Sequence, residues 1–192
     1  MKVLRSPGLW LFVGGLEMLF LVHLAEFLYP GYSVSEDYLS HLGVGPTAPR
    51  VVFTVALVAF GLMLLWASFL LRERDRRSRL WLMLGLSAAG AIGVGVFDMD
   101  NFRELHGLSA LLAFLFGNLA AVYSRRSVRP PVSYLFVLLG AIGLAALVLL
   151  IANIDLGLGL GGIERMPFYP AMFWVMAYGV YLMAEEGAAV RP

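Results

Sequence analysis

Six apolar stretches divide the chain, at about residues 7–29, 51–71, 80–99, 105–124, 131–154 and 167–184, and polar connectors of two different characters alternate between them. A bilayer core of about 30 Å takes ~20 residues of helix, and each stretch approaches or reaches that length. The pattern predicts an all-α polytopic membrane protein, a six-transmembrane-helix bundle in which residues 1–192 form one transmembrane domain. Connectors of ~2 to 8 residues make neighbours in sequence neighbours in space, so the helices should run antiparallel to one another. The first stretch has basic residues ahead of it, as a secretory signal does, but it is too long and lacks a small-x-small cleavage pattern before Tyr29-Pro30. It reads as a retained helix.

Charge fixes the expected orientation. Of 14 Lys and Arg, only Arg50, Arg103 and Arg165 fall on one side; Lys2, Arg5, the run Arg72 to Arg79, Arg125, Arg126, Arg129 and Arg191 fall on the other. Under the positive-inside rule both termini are cytoplasmic, N-in and C-in. The basic connectors are read as topology determinants and anchors to anionic lipid headgroups. Nothing else in the chain favours a nucleic-acid partner. Small residues crowd the third stretch, from Gly85 to Gly95, and recur at Gly140, Gly143, Ala145 and Ala146 in the fifth. Small faces let membrane helices approach closely, and packing within the molecule is the expected use.

The outward side holds most of the remaining ionisable groups. Its first connector, Pro30 to Arg50, carries Glu36, Asp37, Ser40 and His41; its second is a tight turn from Asp98 to His106. The third runs from Asp155 through a Gly-rich segment, Gly157 to Gly162, to Glu164-Arg165 before Pro167 and Pro170. The alternation of Leu with Gly suggests flexible backbone dipping towards the bilayer surface, and the Walker Lys-Ser/Thr of a phosphate loop is missing. Within the first stretch, at about 100° per residue, Glu26 and His23 share a face while Glu17 lies roughly opposite and deeper. An ionisable group at mid-membrane faces a cavity or a partner.

With no Cys in the chain, any metal must use His and carboxylate. Asp37, Asp100 and His106 are the candidate ligands for a divalent ion such as zinc, and the same three are the candidate catalytic groups. A metal there would polarise a carbonyl or phosphoryl oxygen and lower the pKa of bound water to about 7. No HxxxH or HExxH pair is present, however, and Asp100 can instead orient the His106 imidazole across the turn. Ser40 beside His41 is not an adjacent nucleophile and base, because neighbouring residues do not face one another; a Ser or Asp ahead of a membrane helix more often caps it. Glu164-Arg165 reads as an ion pair or as a clamp on a phosphate.

Five segments in order resemble the domain-of-unknown-function family 998, small multipass proteins of archaea and bacteria. They are Pro30-Gly31-Tyr32, Asp37-x-Leu39-Ser40-x-Leu42-Gly43, Gly95-x-Phe97-x-x-Asp100, Leu105-His106-Gly107, and Glu164-Arg165 with Trp174 further on. The family pattern often has Pro after the Phe and an acidic residue after the Ser, where this chain has Asp98 and His41. The resemblance implies a six-helix fold in a prokaryotic plasma membrane and carries no established activity. The turn after the first stretch and the His opening the fourth are also similar to the Frag1/damage-regulated autophagy modulator proteins, six-span proteins connected with lipid handling.

Three functions are therefore open. The first is an outward-facing polar pocket that binds a lipid headgroup or a membrane partner subunit through His23, Glu26, Ser40, His41, Glu164 and Arg165. The second is a metal-assisted lipid hydrolase or transferase at the outer leaflet, and the third is a small proton-coupled carrier relaying through Glu17, His23 and Glu26. The carrier reading suffers from the near absence of polar residues in the inner halves of the later stretches, where Ser87 and Asn118 are the main exceptions.

Overall fold

The computed structural model describes residues 3–188. Lys2 and Arg191, counted above among the inner charges, lie outside the described residues. Six α-helices follow one another: α1 (Pro7–Leu28), α2 (Thr47–Arg74), α3 (Leu80–Val96), α4 (Arg103–Tyr123), α5 (Val132–Ile151) and α6 (Gly159–Ala188). Short 3₁₀ turns occur at Val3–Arg5, Leu39–Gly43 and Ser124–Ser127, and no strand is present among the described residues. The protein is all-α. Four helices, α1, α2, α4 and α5, are long and apolar enough by length and composition to cross a bilayer; α3 is a shorter apolar helix of 17 residues. α6 is not among the four, because Tyr169, Tyr178, Tyr181, Pro167 and Pro170 dilute its apolar character.

Each helix packs on the next, and α6 returns to α1, so the six close into a ring; α4 and α6 also touch across its interior. The arrangement follows from short connectors between antiparallel helices. The outer surface stays apolar: Phe20, Phe27, Leu138, Val148 and Phe173 are all more than half exposed. An apolar exterior of this extent marks a surface that meets hydrocarbon rather than water. Inside, small residues set the spacing. A Cβ on Gly90 of α3 would collide with the α4 backbone at Ser109 and Ala113, and one on Gly140 of α5 would collide with Asn118 and Val122 of α4. Gly8 of α1 and Gly179 of α6 face each other in the same way. The small-residue faces are spent on contacts within the molecule.

One expectation is overturned at the connector between α5 and α6. The Gly-rich segment is not flexible backbone: Gly159 to Gly162 form the first turn of α6, eight residues ahead of the start expected from the apolar pattern, and Pro167 and Pro170 lie inside the helix. The backbone N–H groups of Gly161 and Gly162 donate to the Ser35 carbonyl at 2.8 and 3.2 Å. A Cβ at Gly161 would strike the carbonyls of Val34 and Asp37. Glycine is used here because the first connector lies directly on the helix. Smaller differences occur at α3 and α5, which end at Val96 and Ile151.

Candidate functional site

Two layers of polar contact hold the first connector, Pro30 to Arg50, across the mouth of the ring. In the upper layer, Arg165 of α6 lies at 4% exposure and is surrounded by acceptors. One terminal nitrogen donates to Glu26 Oε1 of α1 at 2.6 Å and to the Tyr32 hydroxyl at 2.8 Å. The other donates to the carbonyls of Gly161 at 2.8 Å and Asp37 at 3.2 Å. The fork geometry of guanidinium suits such multiple acceptance. Tyr32 passes its own proton to the Tyr38 carbonyl at 2.9 Å, and burial pushes its phenol up to about 12 against the opposing pull of Arg165. A buried charge of this kind is tolerated because it is paired and hydrogen-bonded.

In the lower layer, from the neighbouring position on α6, the Glu164 carboxylate accepts the backbone N–H of Leu39 and lines the same cavity as Ser40. Ser40 is not a helix cap. It is buried in the 3₁₀ turn Leu39–Gly43, and α2 begins after Pro46 with no side-chain cap. Across from it, the His106 ring on α4 turns Nδ1 to the Phe97 carbonyl at 2.8 Å. The coupling of Asp100 to His106 expected from the sequence is replaced by this bond to backbone.

Ser40, His106 and Glu164, each at 8 or 9% exposure, line the outer end of a cavity of about 70 Å³ in the middle of the ring. Below them its walls are almost wholly apolar: Phe53 and Phe60 of α2, Ala91 of α3, Phe114 of α4, and Phe168 and Trp174 of α6 stand around it, with Ser87 as a polar exception. Ser40, Phe53, Val94 and His106 also line a second hollow of about 400 Å³, between the outer ends of α2 and α3, whose rim holds Arg50 and Asp98. The two spaces share these four residues, so His106 and Ser40 stand at the junction of an apolar interior and the groove between α2 and α3.

The remaining candidates sit elsewhere. His23 Nδ1 meets the Leu19 carbonyl at 2.6 Å and Nε2 lies 3.2 Å from the Tyr169 hydroxyl, one helical turn beyond Arg165. Glu26 and His23 therefore both face α6, as their shared helical face implies, but at different partners. His41 pairs with Asp37 at 3.3 Å. The Asp37 carboxyl is held below the usual carboxylate range by the Ser33 backbone N–H first and by His41 after it. Asp98 is lowered by the Asn101 side chain and closes the α3–α4 turn. Asp100 faces a small hollow of about 80 Å³ with Arg50 and Asn101. Asp37, Asp100 and His106 are thus in three different settings, and among the described residues no three His or carboxylate groups come together as a metal-binding set. The carboxylate oxygens of Glu17 are buried without a hydrogen-bond partner, away from both layers.

Sequence reading singles out Ser40, Glu164, Arg165, Glu26 and His106, but not which of them meet. It misses Tyr32 as a ligand of Arg165 and the Phe97 carbonyl as the partner of His106. The only signal for Tyr32 is its place beside Pro30-Gly31; for a backbone carbonyl there is none. No curated protein and no solved structure matches the chain. A family model does match, over residues 12–181, and covers both layers of the mouth together with every helix of the ring. The chain belongs to that family, described as Protein of unknown function (DUF998).

Proposed function

We propose that this is a six-span membrane protein, with both termini in the cytoplasm, whose outward half binds an amphiphile from the outer leaflet. The observation that carries the reading is the placement of Ser40, His106 and Glu164 at the junction of the apolar cavity and the groove between α2 and α3. Ligand sites are concave, mostly apolar, and oriented by a few convergent polar groups. The groove gives lateral access from the bilayer, the polar groups receive the head, and the cavity receives chain carbon. The upper layer, Arg165 with Glu26 and Tyr32, serves to hold the roof.

Two other functions fit less well. A metal-assisted hydrolase needs ligands that converge, and Asp37, Asp100 and His106 do not. A proton carrier needs a polar path inward, and the cavity walls below His106 are apolar apart from Ser87.

The test is native mass spectrometry of the protein released gently from its own membrane. A stoichiometric bound lipid is expected, and Ala110→Leu, which places a larger side chain in the cavity wall, should reduce its retention about tenfold, equivalent to ~1.4 kcal/mol. A lipid-free wild type, or equal retention by the variant, would sink the amphiphile reading; a bound protein subunit in place of lipid would assign the mouth to a partner.

A further inference from the structure

The end of the ring away from the mouth carries the basic turns, and their arginines are not equivalent. In the run Arg72 to Arg79 the arginines are interleaved with Glu73 and Asp75. Arg74 pairs with Glu186 at 2.5 Å, and Arg72 lies over the Trp81 ring at 4.9 Å. The Asp75 carboxylate accepts the backbone N–H groups of Arg77 and Ser78, so it closes the run on itself.

The turn between α4 and α5 is built differently. Arg125 and Arg126 are exposed in the 3₁₀ turn Ser124–Ser127, and the chain has no Asp or Glu between Glu104 and Asp155. Every ion pair among the described residues lies elsewhere, at Asp37, Glu26 and Glu186. The turn is nonetheless fixed in place. Ser124 is fully buried, donates its hydroxyl to the Ala121 carbonyl at 2.7 Å and accepts the Trp174 indole N–H at 3.0 Å; Val128 is buried just past the turn. Arg126 is further held over the Tyr123 ring, at 4.8 Å.

Between this turn and the start of α5 lies a groove of about 300 Å³, lined by Arg125, Arg126, Ser133, Tyr134 and Val137. The face of α5 that continues from it is apolar and open, with Tyr134, Leu138 and Val148 all more than half exposed. At 1.5 Å per residue, Tyr134 to Val148 covers about 21 Å. That exceeds the ~15 Å which one leaflet contributes to a ~30 Å hydrocarbon core. Guanidinium groups take phosphate oxygens through paired N–H donors, and tyrosine is enriched where hydrocarbon meets the headgroup layer. Charge then selects the head. A phosphodiester meets two cations without a counter-charge, whereas the ammonium of a zwitterionic head finds no carboxylate on the groove wall.

We propose that this groove is a site for one anionic phospholipid of the leaflet beside the basic turns, its phosphate taken by Arg125 and Arg126 and an acyl chain lying along Val137 and Leu138. The site is at the far end of α4 from His106 and stands independently of the amphiphile reading of the mouth. A free phosphate ion would use the arginines alone; the lipid uses the apolar face as well.

The test titrates the delipidated full chain in a mild detergent with dioleoylphosphatidylglycerol, dioleoylphosphatidylcholine and inorganic phosphate, reading occupancy by native mass spectrometry. Phosphatidylglycerol should bind about tenfold or more tighter than phosphatidylcholine. Arg125→Gln with Arg126→Gln should remove that preference. Arg76→Gln with Arg77→Gln, which takes the same charge from the neighbouring run, should leave it unchanged. Val137→Trp fills the groove at constant charge and should weaken phosphatidylglycerol binding, which separates a seated lipid from attraction to a charged surface. Equal binding of the two lipids, equal losses in the two double variants, or wild-type binding by Val137→Trp would overturn the proposal. Displacement of phosphatidylglycerol by an equal concentration of inorganic phosphate would overturn it too, and would make the arginines a site for the ion.

Discussion

Arg165 shows how much a single side chain can organise at a membrane surface. It joins α1, the first connector and α6 through four groups, and at 4% exposure a lost partner is not readily replaced by water. Removing one member of a buried ion pair costs about 3–5 kcal/mol because the other charge is stranded. Arg165→Ala should therefore lower unfolding stability in detergent by about that amount, and Arg165→Lys by less, since an ammonium keeps the charge but not the fork. The double variant Glu26→Gln with Arg165→Met should recover part of the loss. Equal stability of the single Ala variant and the wild type would show that the pair does not hold the roof. The sequence exposes Arg165 as a charge at the edge of an apolar stretch, yet it cannot name Glu26 as its partner. The two are 139 positions apart, and hydropathy fixes a helix's length without fixing its rotation against another helix.

At the scale of elements, the legible and illegible parts separate by period. The apolar stretches place the first five helices to within a few residues because apolar length is what a bilayer selects. The start of α6 is lost because Gly and Pro are ordinarily read as helix breakers. Inside a helical membrane bundle the freed backbone groups can be satisfied by neighbouring helices; Asn118 of α4, for example, donates to the Pro167 carbonyl at 3.1 Å. The glycines of that first turn are read as loop because their use, contact with a connector 125 or so positions earlier, is a tertiary fact. Close packing of α3 on α4 makes a sharper test. Gly90→Ala forces a methyl into the α4 backbone at Ser109 and Ala113 and should cost about 1–3 kcal/mol. Gly107→Ala, where the space is open, should change stability little. A thermal unfolding series in one detergent compares the two directly, and equal effects would refute the close approach.

For the whole molecule, orientation is the property most easily checked, because the chain lacks Cys. Single Cys residues can be placed at Ser35 in the first connector and at Ser78 or Ser127 in the basic turns, then exposed to a membrane-impermeant maleimide in intact cells. Labelling at Ser35→Cys alone is expected; labelling at Ser78→Cys or Ser127→Cys would reverse the proposed topology. At the end of the molecule that carries the basic turns, a further tie joins α2 to α6, the ion pair of Arg74 with Glu186 at 2.5 Å. The succession of helices was thus accessible from hydropathy, while the pocket was not. Its polar groups come from a turn, α4 and α6, and only the closure of the ring brings them to one place.

The bonds of the roof also set an order of assembly. A chain that enters the membrane from its N-terminus completes α1 to α5 before Gly159 to Arg165 exist to receive the first connector. Until then Leu39 lacks the Glu164 carboxylate, Tyr32 and Glu26 lack their guanidinium, and the interior stands open at the mouth of the ring. The last helix made is the one that shuts the chamber, so whatever fills it during biogenesis can enter without passing through the finished groove.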